Sequence, residues 1–446
     1  MQAARSASAA VADIAEQWQV GDTFEVTIGA VAHGGHFVAR HEGRVLFVRH
    51  CLPGELVNAQ ITSIAKGGRF VQADAIAVLQ AAPGRVEAPC PYAGPGLCGG
   101  CDFQHVHAQV QREFKAQIVS EQFQRLAGID LAALLGGDVP CEPLPLPHGG
   151  AEGSVDDGHG DGGEGAEPLG WRTRVEFAVD AGGTPGLRQH RSRDIVPVSD
   201  CLIAAPGIQA AGVLAKDYPG LSAIDVVAAA DGTVSVPVAK KGPTREVPTV
   251  TEIVELPGGP VRFAVGARGF WQVHPAAAST FAATVLDFLQ PEVGERGLDL
   301  YAGVGLFAVA LSAAVGPRGR VNAVEGDKDA VRHGRSNLAQ WPQARMRQGQ
   351  VDRVLRTLAE QHRRADVVVL DPPRVGAGRA VLRDVALLGP RAIAYVACDP
   401  AALARDTAYL ADFGWKLRDL RIVDAFPMTH HVECLAHFAP VRDNDG

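Results

Sequence analysis

The chain has 446 residues, more than one domain usually contains, so we expect two or three domains with a sizeable core. Hydrophobic residues make up 47% and charged residues 21%, and no apolar run is long enough to cross a bilayer. The net charge of −8 argues against a nucleic-acid partner, but six acidic and no Lys or Arg residues fall in residues 148–168, and without them the charge is −2. Charge therefore neither supports nor excludes a nucleic acid.

The N-terminus, MQAARSASAAVADIAEQW, is an Ala/Ser tail without the apolar core of a signal peptide. We expect a cytoplasmic, monomeric protein without a membrane partner. Eight cysteines in such a chain indicate metal binding or catalysis rather than disulfides. Three of them, Cys51, Cys141 and Cys434, read as buried thiols without assigned chemistry.

Residues 20–80 read as short alternating strands separated by glycine turns, which predicts a small closed β-barrel. The stretch GGHFVARHEGRVLFVRHCLPGELVNAQI is similar to the TRAM module, an OB-like RNA-binding barrel, and we place this domain at 14–80. The similarity implies that the barrel delivers RNA. A purely structural barrel is the alternative, because five Lys/Arg against five Asp/Glu give weak electrostatics.

A β-rich central domain is placed at 81–265. It opens with a cysteine-rich segment and an apolar stripe at helical spacing that predicts a core-facing helix, formed by Val106, Val110, Phe114, Ile118 and Leu126. The Gly/Asp/Glu stretch at 148–168 is too polar to pack and predicts a disordered surface insertion. Five arginines are candidates for a local basic face, the alternative being solvated strand-edge arginines: Arg172, Arg174, Arg188, Arg191 and Arg193.

From 266 to 440, continuous apolar strands alternate with helices, as in GLDLYAG, RVNAVEGD, DVVVLDPPR and AIAYVACDP. This alternation is the mark of a doubly wound parallel sheet with helices on both faces. The predicted fold class is therefore α/β, with an N-terminal barrel, a β-rich middle and a C-terminal Rossmann-like sheet.

A glycine turn follows the first strand of this sheet in DLYAGVG. Gly303 and Gly305 let the backbone approach a ligand at the switch point of the sheet, and Glu325, 22 residues after Gly303, can bind ribose hydroxyls. A dinucleotide enzyme would want a third glycine where this chain has Phe-Ala. Together with the DPPR motif, the pattern favours S-adenosylmethionine over a dinucleotide.

Asp371 in VVVLDPPRVG stands at a strand end before two rigid prolines, and we expect it to face the methyl donor and the target base. A simple strand-to-loop turn is the alternative. An amino-directed nucleic-acid methyltransferase would usually place an aromatic residue after the prolines, whereas this chain has Arg374.

Three closely spaced cysteines, Cys90, Cys98 and Cys101, lie in APCPYAGPGLCGGCDF, and Cys201 can complete a set of four thiolates. Both zinc and a [4Fe-4S] cluster accept four thiolates, and the glycines of CGGC allow the backbone to wrap a bulky cluster. A zinc knuckle is the alternative. The spacing does not fit the three-cysteine pattern of radical adenosylmethionine enzymes.

Cys398 in YVACDP and Glu433 in FPMTHHVE suit methylation of a pyrimidine carbon. Carbon 5 of uracil is weakly nucleophilic, but a thiolate added at carbon 6 turns the ring into an enolate with charge at carbon 5. A carboxylate can then remove the carbon 5 proton so that the thiol leaves. Taken alone, a buried cysteine or a solvated Glu is the simpler interpretation of each residue, and only the surrounding motifs outweigh it.

With these motifs in place, the chain resembles the TRAM-containing, iron-sulfur RNA 5-methyluridine methyltransferases from about residue 20 to 440, apart from the acidic insertion. The resemblance rests on CGGC, GFWQVHP, DLYAGVG, DPPRVG, ACDP and FPMTHHVE. It implies that Cys398 is the nucleophile, that Glu433 is the base, and that the four cysteines hold a structural [4Fe-4S] cluster. It also implies donor contacts at Gln272, Tyr301, Glu325 and Asp371, beside Gly303 and Gly305 of the turn.

Three departures from the family pattern concern the cluster spacing and the adenosine contacts. The first cysteine interval is longer than in the best-known members, and Leu306 stands where some members have an Asn. Gln350 stands where an Asp often touches adenine, and we keep it among the predicted donor contacts. His430 and His431 are expected to position Glu433.

The combination of barrel and cluster resembles the ribosomal RNA enzymes more than the shorter transfer RNA enzymes, which implies a uridine of 23S ribosomal RNA as the target. Because the base must leave its stack, we expect it in a single-stranded loop. A transfer RNA 5-methyluridine methyltransferase is the first alternative. A non-catalytic RNA-binding protein with a redox cluster is the second, and it would not need Cys398 or Glu433.

Overall fold

The computed structural model of the chain describes residues 18–65, 70–146, 168–240 and 247–441, which form two compact units. The first unit comprises residues up to 118, the segment Leu187–Val196 and the loop Pro427–His430. The second comprises 119–186, 197–426 and the residues from 431 onward. The three domain ranges given above remain a prediction. The predicted disorder of 148–168 falls, except for Pro168, outside the described residues.

Five strands of the first unit close into a barrel, which confirms the predicted N-terminal architecture. In sequence they are β1 (Thr23–Ala32), β2 (His36–His41), β3 (Arg44–Arg49), β4 (Leu56–Ile64) and β5 (Val71–Gln80). Around the barrel the order is β1, β2, β3, β5, β4. Alternate residues of each strand, such as Val57, Ala59 and Ile61 in β4, point into the core because successive side chains of a strand face opposite sides.

The chain then continues through α1 (Ala108–Ala127), α2 (Leu131–Leu135) and β6 (Cys141–Pro143). Phe114 and Ile118 of α1 are buried in the hydrophobic core of the first unit. Leu126, however, is 47% exposed, so the predicted apolar stripe was wrong at its C-terminal end.

The β-rich middle of the chain forms two small sheets. Five strands lie in the order β11, β10, β7, β8, β9, and two more pair as a hairpin. Their bounds are β7 (Arg174–Val179), β8 (Pro185–Arg188), β9 (Ile195–Pro197), β10 (Leu221–Ala229), β11 (Gly232–Ala239), β12 (Thr249–Leu256) and β13 (Gly259–Gly266). A short helix, α3 (Pro206–Ala210), and a 3₁₀ turn at Val213–Ala215 precede β10.

The C-terminal part forms an eight-stranded sheet with the order β16, β15, β14, β17, β18, β20, β19, β6. Its strands are β14 (Arg296–Leu300), β15 (Arg320–Glu325), β16 (Ala344–Gln348), β17 (Val367–Leu370), β18 (Ala392–Ala397), β19 (Trp415–Asp424) and β20 (Glu433–Pro440). Its helices are α4 (Ala277–Leu289), α5 (Leu306–Val315), α6 (Lys328–Asn337), α7 (Val351–Glu360), α8 (Gly378–Leu387) and α9 (Pro400–Asp412).

The five strands from β14 to β18 are parallel, as the sequence predicts, and every residue of β17 is buried. The sheet ends differently from a purely parallel one. β20 runs antiparallel to both β18 and β19, and β6 adds a parallel strand at the edge. Among the described residues, no helix is long and apolar enough to cross a membrane.

Candidate active site

The turn between β14 and α5 brings three left-handed residues together: Tyr301 (φ 63°), Gly303 (φ 52°) and Gly305 (φ 91°). Gly305 caps α5, and its N–H donates to the Ala302 carbonyl at 2.7 Å. A Cβ added at Gly303 would meet no heavy atom within 4 Å. The turn therefore leaves an open backbone face, which is the shape that a closely bound nucleoside requires.

Glu325 ends β15 and is tied to this turn. Its Oε2 accepts the Gly303 N–H at 2.9 Å and its Oε1 accepts the Asp327 N–H at 2.7 Å. Because a carboxylate has about four lone-pair directions, acceptor capacity remains for ligand hydroxyls. Gln350, the N-cap of α7, lies alongside, since a Cβ at Gly326 would be 3.5 Å from its Nε2.

Two buried carboxyl groups lie at the ends of the central strands. The Oδ2 of Asp299 accepts the Ala308 N–H at 2.8 Å, and its buried Oδ1 has no hydrogen-bond partner in the described part of the chain. Burial, reinforced by Asp371 and Glu325, raises the pKa of Asp299 to about 8. Burial and Glu325 raise the pKa of Asp371 to about 7. A cation bound beside these two acids would favour their anionic forms.

Cys398, directly after β18, and Glu433, the first residue of β20, lie at neighbouring ends of two adjacent antiparallel strands. Ala397 of β18 pairs with Cys434 of β20, so the next position along the register sets Cys398 against Glu433. The following motif residues fix the local geometry, because the Oδ1 of Asp399 accepts the Ala402 N–H at 2.8 Å and caps α9. ACDP thus reads as strand end, reactive thiol, helix cap and first helical residue.

The electrostatic surroundings of this pair are acidic. Burial raises the pKa of the Cys398 thiol to about 11, helped by the negative charges of Glu433 and Asp371, while Arg374 opposes the shift. Burial and Asp371 raise the pKa of Glu433 well above its usual range, and Arg374 again opposes. The thiol and the acid are therefore both favoured in their neutral forms.

The loop that carries Arg374 is held by α9. Arg405 donates to the Val375 carbonyl at 2.6 Å, and Asp406 accepts the N–H groups of Ala377 (2.7 Å) and Gly378 (3.2 Å). Asp406 is fully buried and also accepts the Tyr395 hydroxyl at 2.7 Å. Asp406 could not be picked out from the sequence, because an Asp in the middle of a helix gives no signal that it is buried.

Two further residues stand out in the GFWQVHP region. Gln272 is buried ahead of α4, whereas Phe270, two positions earlier, is 74% exposed. Arg174 is not a solvated strand-edge residue: it donates to Glu252 at 2.7 Å and to the carbonyls of Ala267 (3.2 Å) and Gly269 (3.3 Å). It therefore supports the loop that presents Phe270. In the sequence, the available signal for Phe270 was an aromatic residue close to the glutamine of the GFWQVHP motif.

The predicted cluster cysteines are partly exposed thiols. Cys90, Cys98 and Cys101 lie in the first unit and Cys201 in the second. The Cys98 Sγ accepts the Gly100 N–H at 3.4 Å, and the Cys101 Sγ accepts from Gln104 at 3.3 Å, contacts that suit thiolates. Within the described ranges, however, no group of three or more His, Cys, Asp or Glu side chains is placed to hold a metal ion.

The other residues discussed from the sequence are three cysteines and two histidines. Cys51, Cys141 and Cys434 are buried thiols, as the sequence predicts. Both the Nδ1 and the backbone N–H of His430 contact the Asp102 carboxylate, at 2.6 and 3.1 Å. The His431 ring lies edge-on to Phe426.

The sheet is doubly wound, with an open glycine turn after its first strand, a carboxylate at the end of its second strand and an acid after its fourth. Together these features define a nucleoside-dependent transferase of the S-adenosylmethionine class. Residues 17–76 match the TRAM domain family and residues 248–439 match the tRNA (Uracil-5-)-methyltransferase family.

Relatives extend this match over the whole chain. An uncharacterized RNA methyltransferase of Streptomyces avermitilis is 45% identical, with 94% of this chain and 99% of the relative covered. The 23S rRNA (uracil(1939)-C(5))-methyltransferase RlmD of Shewanella denitrificans is 27% identical over 94% and 96%. The chain belongs to the RNA (uracil-5-)-methyltransferase family and is a methyltransferase that uses S-adenosylmethionine. A non-catalytic RNA-binding protein does not fit this membership.

Among solved structures, the chain is similar to the Pyrococcus abyssi tRNA (uracil-54, C5)-methyltransferase in complex with S-adenosyl-L-homocysteine. The TM-score is 0.67 at 19% identity, with 93% of this chain and 100% of that chain covered. This likeness concerns the fold.

Proposed function

We propose that Cys398 and Glu433 methylate carbon 5 of a uridine in RNA by nucleophilic addition and elimination. The observation that carries the proposal is the register of β18 and β20, which sets the two side chains against each other at the strand ends. Asp371 and Arg374 act electrostatically on both of them, so the four side chains belong to one site.

The reaction begins with the Cys398 thiolate, which adds to carbon 6 and moves the electron pair of the 5,6 double bond to carbon 5. Carbon 5 would then bond to the electrophilic methyl carbon of the donor as the bond from that carbon to the sulfonium sulfur breaks, leaving the sulfur neutral. Glu433, as the carboxylate, accepts the proton from carbon 5. The electron pair of that C–H bond restores the double bond, and the carbon 6–sulfur bond breaks to release the thiolate.

The donor site proposed here contains the turn glycines Gly303 and Gly305, with Glu325 binding ribose hydroxyls. In this proposal Asp371 would lie near the positive sulfonium, and its buried carboxyl group would be stabilised as the anion when that cation is bound. Gln350, which lies beside Gly326, would contact the adenine edge. Gln272 and Tyr301 complete the predicted contacts, and Leu306 at the start of α5 offers apolar surface in place of an amide.

The nucleophile is tested with the Cys398→Ala variant. It should bind S-adenosylmethionine normally and form no methylated RNA, and wild type should form a covalent adduct with RNA that contains 5-fluorouridine. Cys434→Ala is the matched control, because that thiol is a buried neighbour one residue from Glu433. Methyl transfer by Cys398→Ala at close to the wild-type rate would refute the mechanism.

The base is tested separately with Glu433→Gln. This variant should complete methyl transfer and then accumulate a covalent methylated RNA complex, because the carbon 5 proton has no acceptor. Denaturing gels and mass spectrometry of the complex measure the trapped species. Free methylated product at the normal rate would remove Glu433 from the base role.

For the target we propose a uridine of 23S ribosomal RNA. Similarity to the Shewanella enzyme over nearly the full length of both chains supports this choice. A transfer RNA uridine is the second candidate, because the Pyrococcus transfer RNA enzyme is covered completely by the structural match. Mapping 5-methyluridine in both RNA classes from a deletion strain separates the two, and loss of the modification from transfer RNA alone would reject the ribosomal target.

We also propose that Cys90, Cys98, Cys101 and Cys201 hold a [4Fe-4S] cluster with a structural role. The Cys98 and Cys101 sulfurs accept N–H hydrogen bonds, as sulfurs around a cluster commonly do, whereas the described residues form no preformed metal group. Anaerobically purified protein should be brown with about four irons per chain, and Cys98→Ser should lose colour and soluble yield. Stoichiometric zinc without iron would favour a zinc knuckle instead.

A further inference from the structure

A pair of stacked aromatic rings lies on the outside of the barrel. Phe47 of β3 alternates with the buried Leu46 and Val48, so its ring points away from the barrel core. Phe70 lies directly before β5, and its ring stacks on Phe47 with centroids 4.3 Å apart and planes 19° apart. Phe70 is 42% exposed, so part of the stack faces solvent.

His36 connects this stack to a second surface element. Its ring meets Phe47 edge-on at 6.5 Å and His190 edge-on at 6.3 Å. His36 is buried, and burial lowers its pKa to about 4, with a further contribution from Arg191. At neutral pH the His36 ring that contacts Phe47 and His190 is therefore uncharged, and any positive charge on this surface comes from other residues.

The hairpin Leu187–Val196, which carries His190, provides that charge. It belongs to the same compact unit as the barrel, although about 100 residues separate the two in sequence. Gly99 donates its N–H to the Arg188 carbonyl at 3.0 Å, and the Gln189 amide donates to the Gly96 carbonyl at 2.6 Å. A Cβ at Gly99 would lie 2.5 Å from the His190 backbone, so the hairpin is closely packed on the cysteine loop.

The hairpin exposes three arginines, Arg188, Arg191 and Arg193, against one carboxylate, Asp194. The Asp194 carboxylate already accepts the Ser192 hydroxyl at 2.8 Å. The excess of positive charge is therefore local, although the chain as a whole is acidic. Single-stranded RNA is bound by proteins through base stacking on aromatic rings together with cations along the backbone.

We propose that Phe70, stacked on Phe47, and the arginines Arg191 and Arg193 form one binding strip for a single-stranded segment of the RNA substrate. A base stacks on the exposed Phe70 ring while flanking phosphates contact the two guanidinium groups. The strip rests on the proposed RNA function and extends it, because it assigns substrate binding to residues of the first unit that take no part in methyl transfer.

The test uses full-length protein and a fluorescein-labelled, single-stranded, uridine-rich RNA, with binding followed by fluorescence anisotropy. Phe70→Leu keeps the apolar volume and removes the ring, so it should weaken binding by about 5- to 150-fold if one base stack is lost. Phe70→Tyr should restore binding. Leu79→Ala is the matched control, because Leu79 is a similarly exposed apolar residue on β5.

The charged half of the strip is measured by salt dependence. Arg191→Ala with Arg193→Ala should reduce the slope of log K against log salt by about 1.4, since each phosphate contact on a single strand contributes about 0.7. Arg363→Ala, an exposed arginine of the second unit, should leave the slope unchanged. Phe70→Leu should weaken binding without changing the slope, because stacking releases no counterions.

The outcomes distinguish this strip from the catalytic proposal. Wild-type affinity and salt slope in both the Phe70→Leu and the double arginine variant would overturn the strip, even if the enzyme still methylates RNA. Loss of affinity in the variants, with an unchanged Kd for S-adenosylmethionine and unchanged melting temperature, supports it. Failure of wild type to methylate uracil in any RNA would instead refute the proposed function, and the binding measurement would remain interpretable.

Discussion

The pKa of the Cys398 thiol can be measured directly and tests the proposed active site. Glu433 and Asp371 both disfavour the thiolate, and Arg374 favours it. Replacing Glu433 by Gln removes one of the two strongest negative contributions while keeping the size of the side chain. Replacing Arg374 by Ala removes the opposing positive charge. The two variants should therefore shift the Cys398 pKa in opposite directions, downward for Glu433→Gln and upward for Arg374→Ala.

The size of the effect follows from the pKa of Cys398, which is raised from 9.0 to about 11. At pH 8 a thiol with a pKa of about 11 is roughly 0.1% thiolate, whereas one with a pKa of about 9 is roughly 9% thiolate. Ligand-free Cys398 should thus react with iodoacetamide on the order of 100-fold more slowly than an unperturbed thiol. Burial is the largest cause, so Glu433→Gln should recover only the smaller part of this difference, and only at pH values where Glu433 is ionised.

The assay follows alkylation of the Cys398 peptide by mass spectrometry between pH 7 and pH 11. Because the pKa is raised to about 11, the rate should increase with pH across this whole range and reach about half of its maximum only at the upper end. S-adenosylmethionine carries a positive sulfonium and should lower the midpoint, whereas S-adenosylhomocysteine, whose sulfur is neutral, should not. Arg379→Ala is the control for Arg374→Ala, since Arg379 is exposed and paired with Asp412.

Two results would refute the reasoning. The first is a wild-type midpoint at or below 9, which would mean that neither burial nor the neighbouring carboxylates act on the thiol. The second is a midpoint that rises or stays fixed in Glu433→Gln, which would separate Glu433 from Cys398 and contradict their neighbouring positions at the ends of β18 and β20.

Three other perturbations test neighbouring features. The pKa values of Asp371 and Asp299 are raised to about 7 and about 8, so binding of the cationic donor should release protons and tighten as pH rises from 6 to 8.5. Binding of S-adenosylhomocysteine should change little over this range. Calorimetry in buffers of different ionisation enthalpy measures the released protons. Asp406→Ala should cost about 3 kcal/mol in the free energy of unfolding and raise the KM for the donor, because two loop N–H groups and a tyrosine hydroxyl lose their acceptor. Arg174→Met should lower the free energy of unfolding by about 3 to 5 kcal/mol, because it leaves Glu252 buried without its partner. In denaturant unfolding, adding Glu252→Gln should recover part of this loss, and additivity of the two changes would contradict the pairing.

Much of the active site followed from local sequence patterns. In a parallel sheet, the carboxyl ends of the strands meet at one edge, which is where residues that directly follow apolar strands, such as Asp371 and Cys398, are found. The positive φ angles of Gly303 and Gly305 were likewise predictable, because glycine tolerates the left-handed region. The family motifs then assigned chemistry to these positions.

Other predictions failed or were incomplete because they depended on packing. Leu126 continues the helical spacing of Phe114 and Ile118 but is exposed, since periodicity does not reveal where the neighbouring surface ends. Arg174 looked like a surface cation, yet its side chain is largely buried against Glu252. A three-residue strand, β6, joined the edge of the main sheet without any strand pattern of its own.

The sequence by itself indicated the barrel, the α/β sheet, the glycine turn, and the thiol and carboxylate that we propose for uracil methylation. These are encoded by short-range periodicity and by motifs at strand ends. Only the tertiary structure decided that β20 runs antiparallel to β18 in the register that faces Glu433 with Cys398, and that the arginine hairpin Leu187–Val196 belongs to the barrel unit. Such placements depend on contacts between residues far apart in the chain, and no local pattern specifies which distant segments pair.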